Sequence, residues 1–245
     1  MLNISHLTVS VGTKTIIRDF SYRFEKNKVY VIMGPNGSGK STLAHAIMGN
    51  PLYTVSPGSS IVFKGEEVSG LSPDKRAQKG MFLTFQTPPS LSGVSVFQLL
   101  RSARRGEDVF ALHQKLDGFA KKLKIKQDLM DRSFNEGASG GEKKKMEVLQ
   151  AATVDPSLAV FDEIDTGVDV DALRLISAFL RKTAKEKTLI FITHYSRILS
   201  GIKTDRVLVL KNGSLDREGG PELIEHIEAD GYETRKKQTN STKKR

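Results

Sequence analysis

The run from Val29 to Thr42 holds the residues whose types and spacing most directly imply chemistry. Apolar Val29-Tyr30-Val31-Ile32-Met33 leads into Gly34-Pro35-Asn36-Gly37-Ser38-Gly39-Lys40-Ser41-Thr42, and Leu43, Ala44, Ala46, Ile47 and Met48 continue it as a helix. Gly34, Gly37 and Gly39 let backbone N–H groups turn inward on phosphate oxygens without a Cβ in the way. The helix N-terminus adds positive partial charge, Lys40 can reach β- and γ-phosphates, and the Ser41 hydroxyl can ligate Mg²⁺. This is the P-loop spacing, and a strand before it and a helix after it leave a chance Gly-rich turn as a poor explanation. The stretch predicts a nucleoside triphosphate site.

Other polar residues stand where apolar runs stop. Met81–Phe85 ends at Gln86, Leu158–Phe161 at Asp162-Glu163, and Thr188–Ile192 at Thr193-His194. Ligands of open α/β folds meet the carboxyl ends of parallel strands. Beside a P-loop, one carboxylate can organise Mg²⁺ while the next polarises an attacking water. Asn135 to Glu142 forms a second Gly-rich turn, through Ser139-Gly140-Gly141, into a helix bearing Met146, Leu149 and Ala152, and makes a second candidate anion site. Asp165-Thr-Gly-Val-Asp169 caps a helix around Leu173, Ile176, Phe179 and Leu180. Taken singly, Gln86 also reads as an ordinary loop residue, His194 as a core histidine and Glu163 as a salt-bridge partner. His6, His45, His113 and His226 share no metal-ligand spacing and read as surface or packing residues.

These groups need a frame to hold them, and 245 residues suffice for one large domain with an inserted subdomain. Residues 2–24 read as short strands, with Ile4, Leu7, Val9 and Val11, then Ile16-Ile17, Phe20, Tyr22 and Phe24 in alternation. Ile61-Val-Phe63 adds a strand, Ser72 and Pro73 open a short helix, and Val207–Leu210 with Asn212-Gly213 and Leu215 form a hairpin. From Val94 to about Leu129 the periodicity is helical. That stretch is basic at Arg101, Arg104, Arg105, Lys115, Lys121, Lys122, Lys124 and Lys126, which reads as a solvated face. Pro221 starts a last helix through Ile227. The formal net charge is +10, and Arg235, Lys236, Lys237, Lys243, Lys244 and Arg245 crowd a polar tail, 233–245, expected to be disordered. Cysteine is absent, which excludes disulfides and thiolate ligands. No run has the length of a signal peptide or a bilayer span, so a cytoplasmic location without membrane insertion is expected.

The order of P-loop, strand-end Gln86, Ser139-Gly140-Gly141-Glu142 turn, Asp162-Glu163, Asp169 loop and strand-end His194 resembles the ABC-type ATPase domain over roughly residues 1–231. The resemblance implies an α/β fold with a mixed, largely parallel core sheet, an antiparallel β subdomain and a helical subdomain inserted at about 94–150, in a domain spanning 1–232. It implies ATP and Mg²⁺, and two such domains paired head to tail around two ATP molecules. Gly34 to Thr42 would hold the phosphates, with Ser41, Gln86 and Asp162 around Mg²⁺. Glu163 would be the general base and His194 the residue touching the γ-phosphate. Ser139 to Glu142 would act in trans as the signature turn, with Asp169 at the seam. Two positions depart from the pattern: Ala138 stands where Leu or Phe is usual, and Val11 where an aromatic stacks on adenine.

Within that family, Ser139-Gly-Gly-Glu-Lys-Lys-Lys145, Phe85 to Ser95, Asp162 to Ala172, Ile192-Thr-His-Tyr195 and Gly231-Tyr232 are similar to the SufC ATPases of the SUF iron–sulfur cluster machinery. That resemblance implies SufB- and SufD-like scaffold partners and an ATP-dependent homodimer of the ATPase. The ATPase subunit of a membrane transporter is the alternative. A nucleic-acid-binding regulator is a third reading, disfavoured because the basic residues lack interleaved aromatics.

Overall fold

Two sheets carry the fold in a computed structural model that describes residues 1–104, 106–183 and 186–232. The expected disordered tail at 233–245, and Arg105 of the basic stretch, lie outside the described residues. The first sheet opens with β1 (Leu2–Val11) and β2 (Lys14–Phe24), paired antiparallel from Leu2 opposite Phe24 to Val11 opposite Lys14. They are two long strands where the sequence suggests several short ones. The polar residues that interrupt the apolar ones lie on the exposed face, and register shifts absorb His6 and Asp19, both at positive φ. The short β4 (Thr54–Val55) pairs with β1, as does β5 (Ser60–Phe63), which in turn pairs with β6 (Glu66–Glu67).

The second sheet contains β3 (Val29–Met33), β7 (Met81–Leu83), β8 (Leu158–Asp162), β9 (Thr188–Ile192), β10 (Arg206–Lys211) and β11 (Ser214–Gly219), in the order β11-β10-β3-β9-β8-β7. Its neighbours are parallel except the β10–β11 hairpin. Every residue of β3, β8 and β9 is buried, which is why these strands read as unbroken apolar runs. β3 shows the consequence. Tyr30 and Ile32 face a core shared with the first sheet and with Leu43, Ala44 and Ile47, whereas Val29, Val31 and Met33 face a second core with Leu149, Phe179 and Ile224. β7 ends at Leu83, short of the expected Phe85, although the Thr84 amide still donates to the Val160 carbonyl at 3.0 Å.

The helices are α1 (Lys40–Met48), α2 (Pro73–Gln78), α3 (Val96–Ala103), α4 (Val109–Lys122), α5 (Gln127–Asp131), α6 (Gly140–Val154), α7 (Val170–Thr183) and α8 (Glu222–Asp230). α3 packs on α4, α5 and α6, forming the helical group where the sequence places one. Leu112, Leu116 and Ala120 of α4 turn inward and Lys121 and Lys122 outward. Two basic residues of this stretch are not simply solvated. Arg104 donates to the Val154 carbonyl at 3.1 Å and Lys115 to the Thr153 carbonyl at 2.8 Å, so they close the C-terminus of α6. Ser72 does precede α2, but its hydroxyl donates to Asp74 instead of capping the helix. The architecture is the α/β arrangement expected from the sequence: a mixed, largely parallel sheet, an antiparallel sheet and a helical group.

Candidate active site

β3 delivers the chain into the Gly-rich loop at the carboxyl end of the parallel sheet, and α1 leaves it. Backbone shape explains the glycines. Gly39 precedes α1 at φ +102, and a Cβ there would stand 2.6 Å from the Ile17 Cδ1; a Cβ on Gly34 would stand 2.2 Å from the Leu210 carbonyl oxygen. Because Gly39 has no side chain, no cap covers the first N–H groups of α1. The turn of the β10–β11 hairpin braces the loop, with the Gly213 amide donating to the Ser38 carbonyl at 3.0 Å. The Lys40 ammonium is buried and donates to the Gly34 and Pro35 carbonyls at 2.8 and 3.2 Å. Burial lowers its pKa, and the charges of Glu163 and Asp162 pull the other way.

Those two carboxylates sit at the end of β8. Asp162 is fully buried, and desolvation, reinforced by the charge of Glu163, raises its pKa to about 6. Ser41 approaches from α1 and offsets part of that rise, yet among the described residues neither carboxylate oxygen meets a donor at bonding geometry. The Ser38 hydroxyl is likewise buried without a partner among them. Glu163 adopts φ +47, a left-handed conformation costing on the order of 1–2 kcal/mol for a residue with a Cβ. Its amide donates to the Ile192 carbonyl at 2.9 Å, which ties it to the end of β9. The Gln86 amide donates to Glu163 Oε2 at 2.9 Å, and His194 Nε2 lies 3.6 Å from Glu163 Oε1. Burial, then the Lys40 charge, lowers the His194 pKa against the pull of Glu163 and Asp165. Lys40, Ser41, Gln86, Asp162, Glu163 and His194 therefore form one cluster.

Ser139, Gly140, Gly141, Glu142 and Asp169 form another. Ser139 caps α6: its hydroxyl accepts from the Glu142 amide, while Glu142 Oε2 accepts from the Ser139 amide and hydroxyl at 2.9 and 2.8 Å. Those bonds, backbone first, lower the Glu142 pKa. A Cβ on Gly140 would lie 3.1 Å from the Gly167 carbonyl oxygen, and one on Gly141 3.5 Å from Asp169 Oδ2. Asp169 Oδ1 accepts from the Ala172 amide at 2.8 Å and starts α7. The Ser139-Gly140-Gly141 turn thus packs on the loop after β8 of its own chain.

Three features of the site escape a reading of the sequence. Buried Thr84 accepts from the Asp162 amide at 2.9 Å. Thr193 donates to Asp165 Oδ2 at 2.8 Å, joining the loop after Glu163 to the residue before His194. Lys144, buried on α6, donates to the Phe85 and Gln86 carbonyls at 3.0 and 3.1 Å and to Glu147 Oε2 at 3.2 Å, while Glu147 Oε1 accepts from the Phe85 amide. Desolvation raises the Glu147 pKa to about 7 against the pull of Lys144. The only sequence signal for that clamp is the i,i+3 spacing of opposite charges.

Residues 17–166 match the family described as ABC transporter. The chain belongs to the ABC transporter family. This ABC ATPase is 40% identical over 242 residues to the probable ATP-dependent transporter SufC of Escherichia coli strain K12, covering 95% of this chain and 97% of that one. It is 39% identical to vegetative protein 296 of Bacillus subtilis strain 168, over 95% and 92% of the two chains. The ADP conformation of the ATP-binding cassette MJ1267 of an ABC transporter superimposes with a TM-score of 0.75 at 28% identity, over 94% of this chain and 95% of that one. The chain is an ATP-binding, ATP-hydrolysing cassette. Among its described residues no helix is long and apolar enough to cross a membrane.

Proposed function

We propose that this ABC ATPase is the SufC-like subunit of an iron–sulfur cluster assembly machine, in which two copies pair head to tail on ATP and reshape SufB- and SufD-like scaffold subunits. The similarity to SufC along nearly the whole length of both chains carries the reading. The run Ser139-Gly-Gly-Glu142 continuing into Lys143-Lys144-Lys145, which resembles a SufC signature, supports it.

In this mechanism Lys40, the loop from Gly34 to Gly39 and the start of α1 with Ser41 and Thr42 hold the triphosphate. The residues fit a magnesium ion. Asp162 offers two buried oxygens without a partner among the described residues, beside the Ser41 hydroxyl, and Gln86 adds an amide oxygen. These are hard oxygen donors. Among the described residues no cluster of three His, Cys, Asp or Glu makes an all-protein cage, in keeping with a cation that takes one or two carboxylates and completes its shell with phosphate and water. Mg²⁺ held there would neutralise charge developing on the phosphates. Glu163 accepts the proton of the attacking water, oriented by Gln86 on one carboxylate oxygen and His194 near the other. His194 donates toward the γ-phosphate. Ser139 to Glu142 of a second copy closes over that phosphate, with Asp169 at the seam.

The test is to purify the native protein from its own cells without detergent and identify stoichiometric companions by mass spectrometry. SufB- and SufD-like companions are expected. A polytopic membrane companion would make the chain a transporter engine and overturn the cluster-assembly reading while leaving the ATP site in place.

A further inference from the structure

Arg76 is almost completely buried, at 1% exposure, on the short α2. Its guanidinium binds backbone carbonyls. Nη1 donates to Ala46 and Ile47 at 2.9 and 2.7 Å, Nη2 to Ser69 at 2.7 Å and Nε to Leu71 at 3.0 Å. Ala46 and Ile47 belong to the last turn of α1, whose first residues are Lys40 and Ser41. Ser69 and Leu71 lie in the segment that enters α2, which leads directly through β7 to Gln86. α1 itself packs on α2 and β7. One side chain therefore holds the far end of the P-loop helix against the segment entering α2, which precedes β7 and Gln86 in the chain. A cation at a helix C-terminus is favourable, and a rigid fork can serve several carbonyls at once where a lysine presents a single point of charge. Gly49 leaves room for the fork, since a Cβ there would stand 2.7 Å from Arg76 Nε.

We infer that Arg76 is a positioning residue for the ATP site: by clamping α1 to the segment leading to Gln86, it sets the spacing of Ser41 and Gln86, the two side chains that flank Asp162 in the proposed magnesium site. The inference rests on that reading of the site. Removal of the clamp releases α1 along its axis, and the loss falls on Mg²⁺ affinity before it falls on the rate at saturation.

The experiment measures ATP turnover of the full chain against free Mg²⁺ for wild type, Arg76→Lys and Ser41→Ala, below the melting temperature of each. Arg76→Lys is expected to raise half-saturating Mg²⁺ about tenfold, as loss of a supporting contact around a metal does, with the rate largely recovered at excess Mg²⁺. A lower melting temperature with unchanged half-saturation would overturn the inference, provided Ser41→Ala shows the shift. An unchanged Ser41→Ala would overturn the magnesium-site reading itself. Should Arg76→Lys not fold, wild type alone decides by reciprocity: Mg²⁺ with ATP must slow amide exchange at Leu71 and Arg76, and unaltered exchange there overturns the coupling.

Discussion

Asp162 concentrates the site's chemical tension in one residue. Its ordinary pKa of 3.8 rises to about 6 because a carboxylate with no exposure has exchanged water for an interior where, among the described residues, only Ser41 approaches it and neither oxygen meets a donor at bonding geometry. The sign of the linked stability follows. Below about pH 4 the group is protonated in folded and unfolded chains alike; between there and pH 6 the unfolded chain releases the proton first, so stability falls as pH rises, and above pH 6 the full penalty, about 3 kcal/mol, is in force. Asp162→Asn removes the charge at constant shape. It is expected to melt higher than wild type at pH 8, with the gain disappearing near pH 4, while ATP turnover is lost throughout. Thermal melts at the two pH values check this, and equal melting temperatures at pH 8 would refute the desolvation argument. Lys40→Ala is the complementary case: nucleotide affinity should collapse in a fluorescent-nucleotide titration, and retained affinity would dismiss the P-loop assignment. Both residues are readable in the sequence, because a Gly-rich loop after a β-branched run and a carboxylate ending an apolar run are local patterns. The strain at Glu163 is not, since nothing in an Asp-Glu pair announces a positive φ, and the conformation is set by the end of a strand from a distant segment.

Helices and strands explain what local patterns miss. The β10–β11 hairpin at Asn212-Gly213 and the start of α6 at Ser139 follow from periodicity and turn residues that lie next to each other in the chain. The clamp between α6 and the Gln86 segment does not, because Lys144 and Glu147 reach residues some sixty positions away and lysine is ordinarily placed at the surface. Burial here is the tertiary structure overriding residue type. Glu147→Ala strips the carboxylate from a buried ammonium and from the Phe85 amide together. Breaking a buried pair on one side costs about 3–5 kcal/mol, more than the modest worth of the pair as a whole. The variant should lose that much stability in urea unfolding and exchange its Phe85 amide faster. Loss of stability with Phe85 exchange unchanged would place the effect elsewhere on α6.

At the scale of the whole molecule the two clusters pose a geometrical demand. Ser139 to Glu142 pack against the loop from Gly167 to Asp169 of their own chain, while Lys40, Asp162, Glu163 and His194 converge at the P-loop. If each ATP is completed by the signature turn of a second copy, the pair has two-fold symmetry and every site draws residues from both subunits. That arrangement makes a prediction no single-chain site shares. Copies carrying Lys40→Ala lack the phosphate cradle, and copies carrying Ser139→Arg present a blocked signature turn, so neither population hydrolyses ATP alone. Mixed together, they form pairs in which one site joins an intact P-loop to an intact signature turn, and turnover must reappear. Glu163→Gln provides the structural counterpart, since it keeps the shape of the base, binds ATP and cannot complete hydrolysis. With ATP it should elute from a sizing column at twice the monomer mass, and with ADP at the monomer mass. Turnover absent from the mixture, together with a monomeric Glu163→Gln in ATP, would exclude head-to-tail pairing and confine the chemistry to one chain.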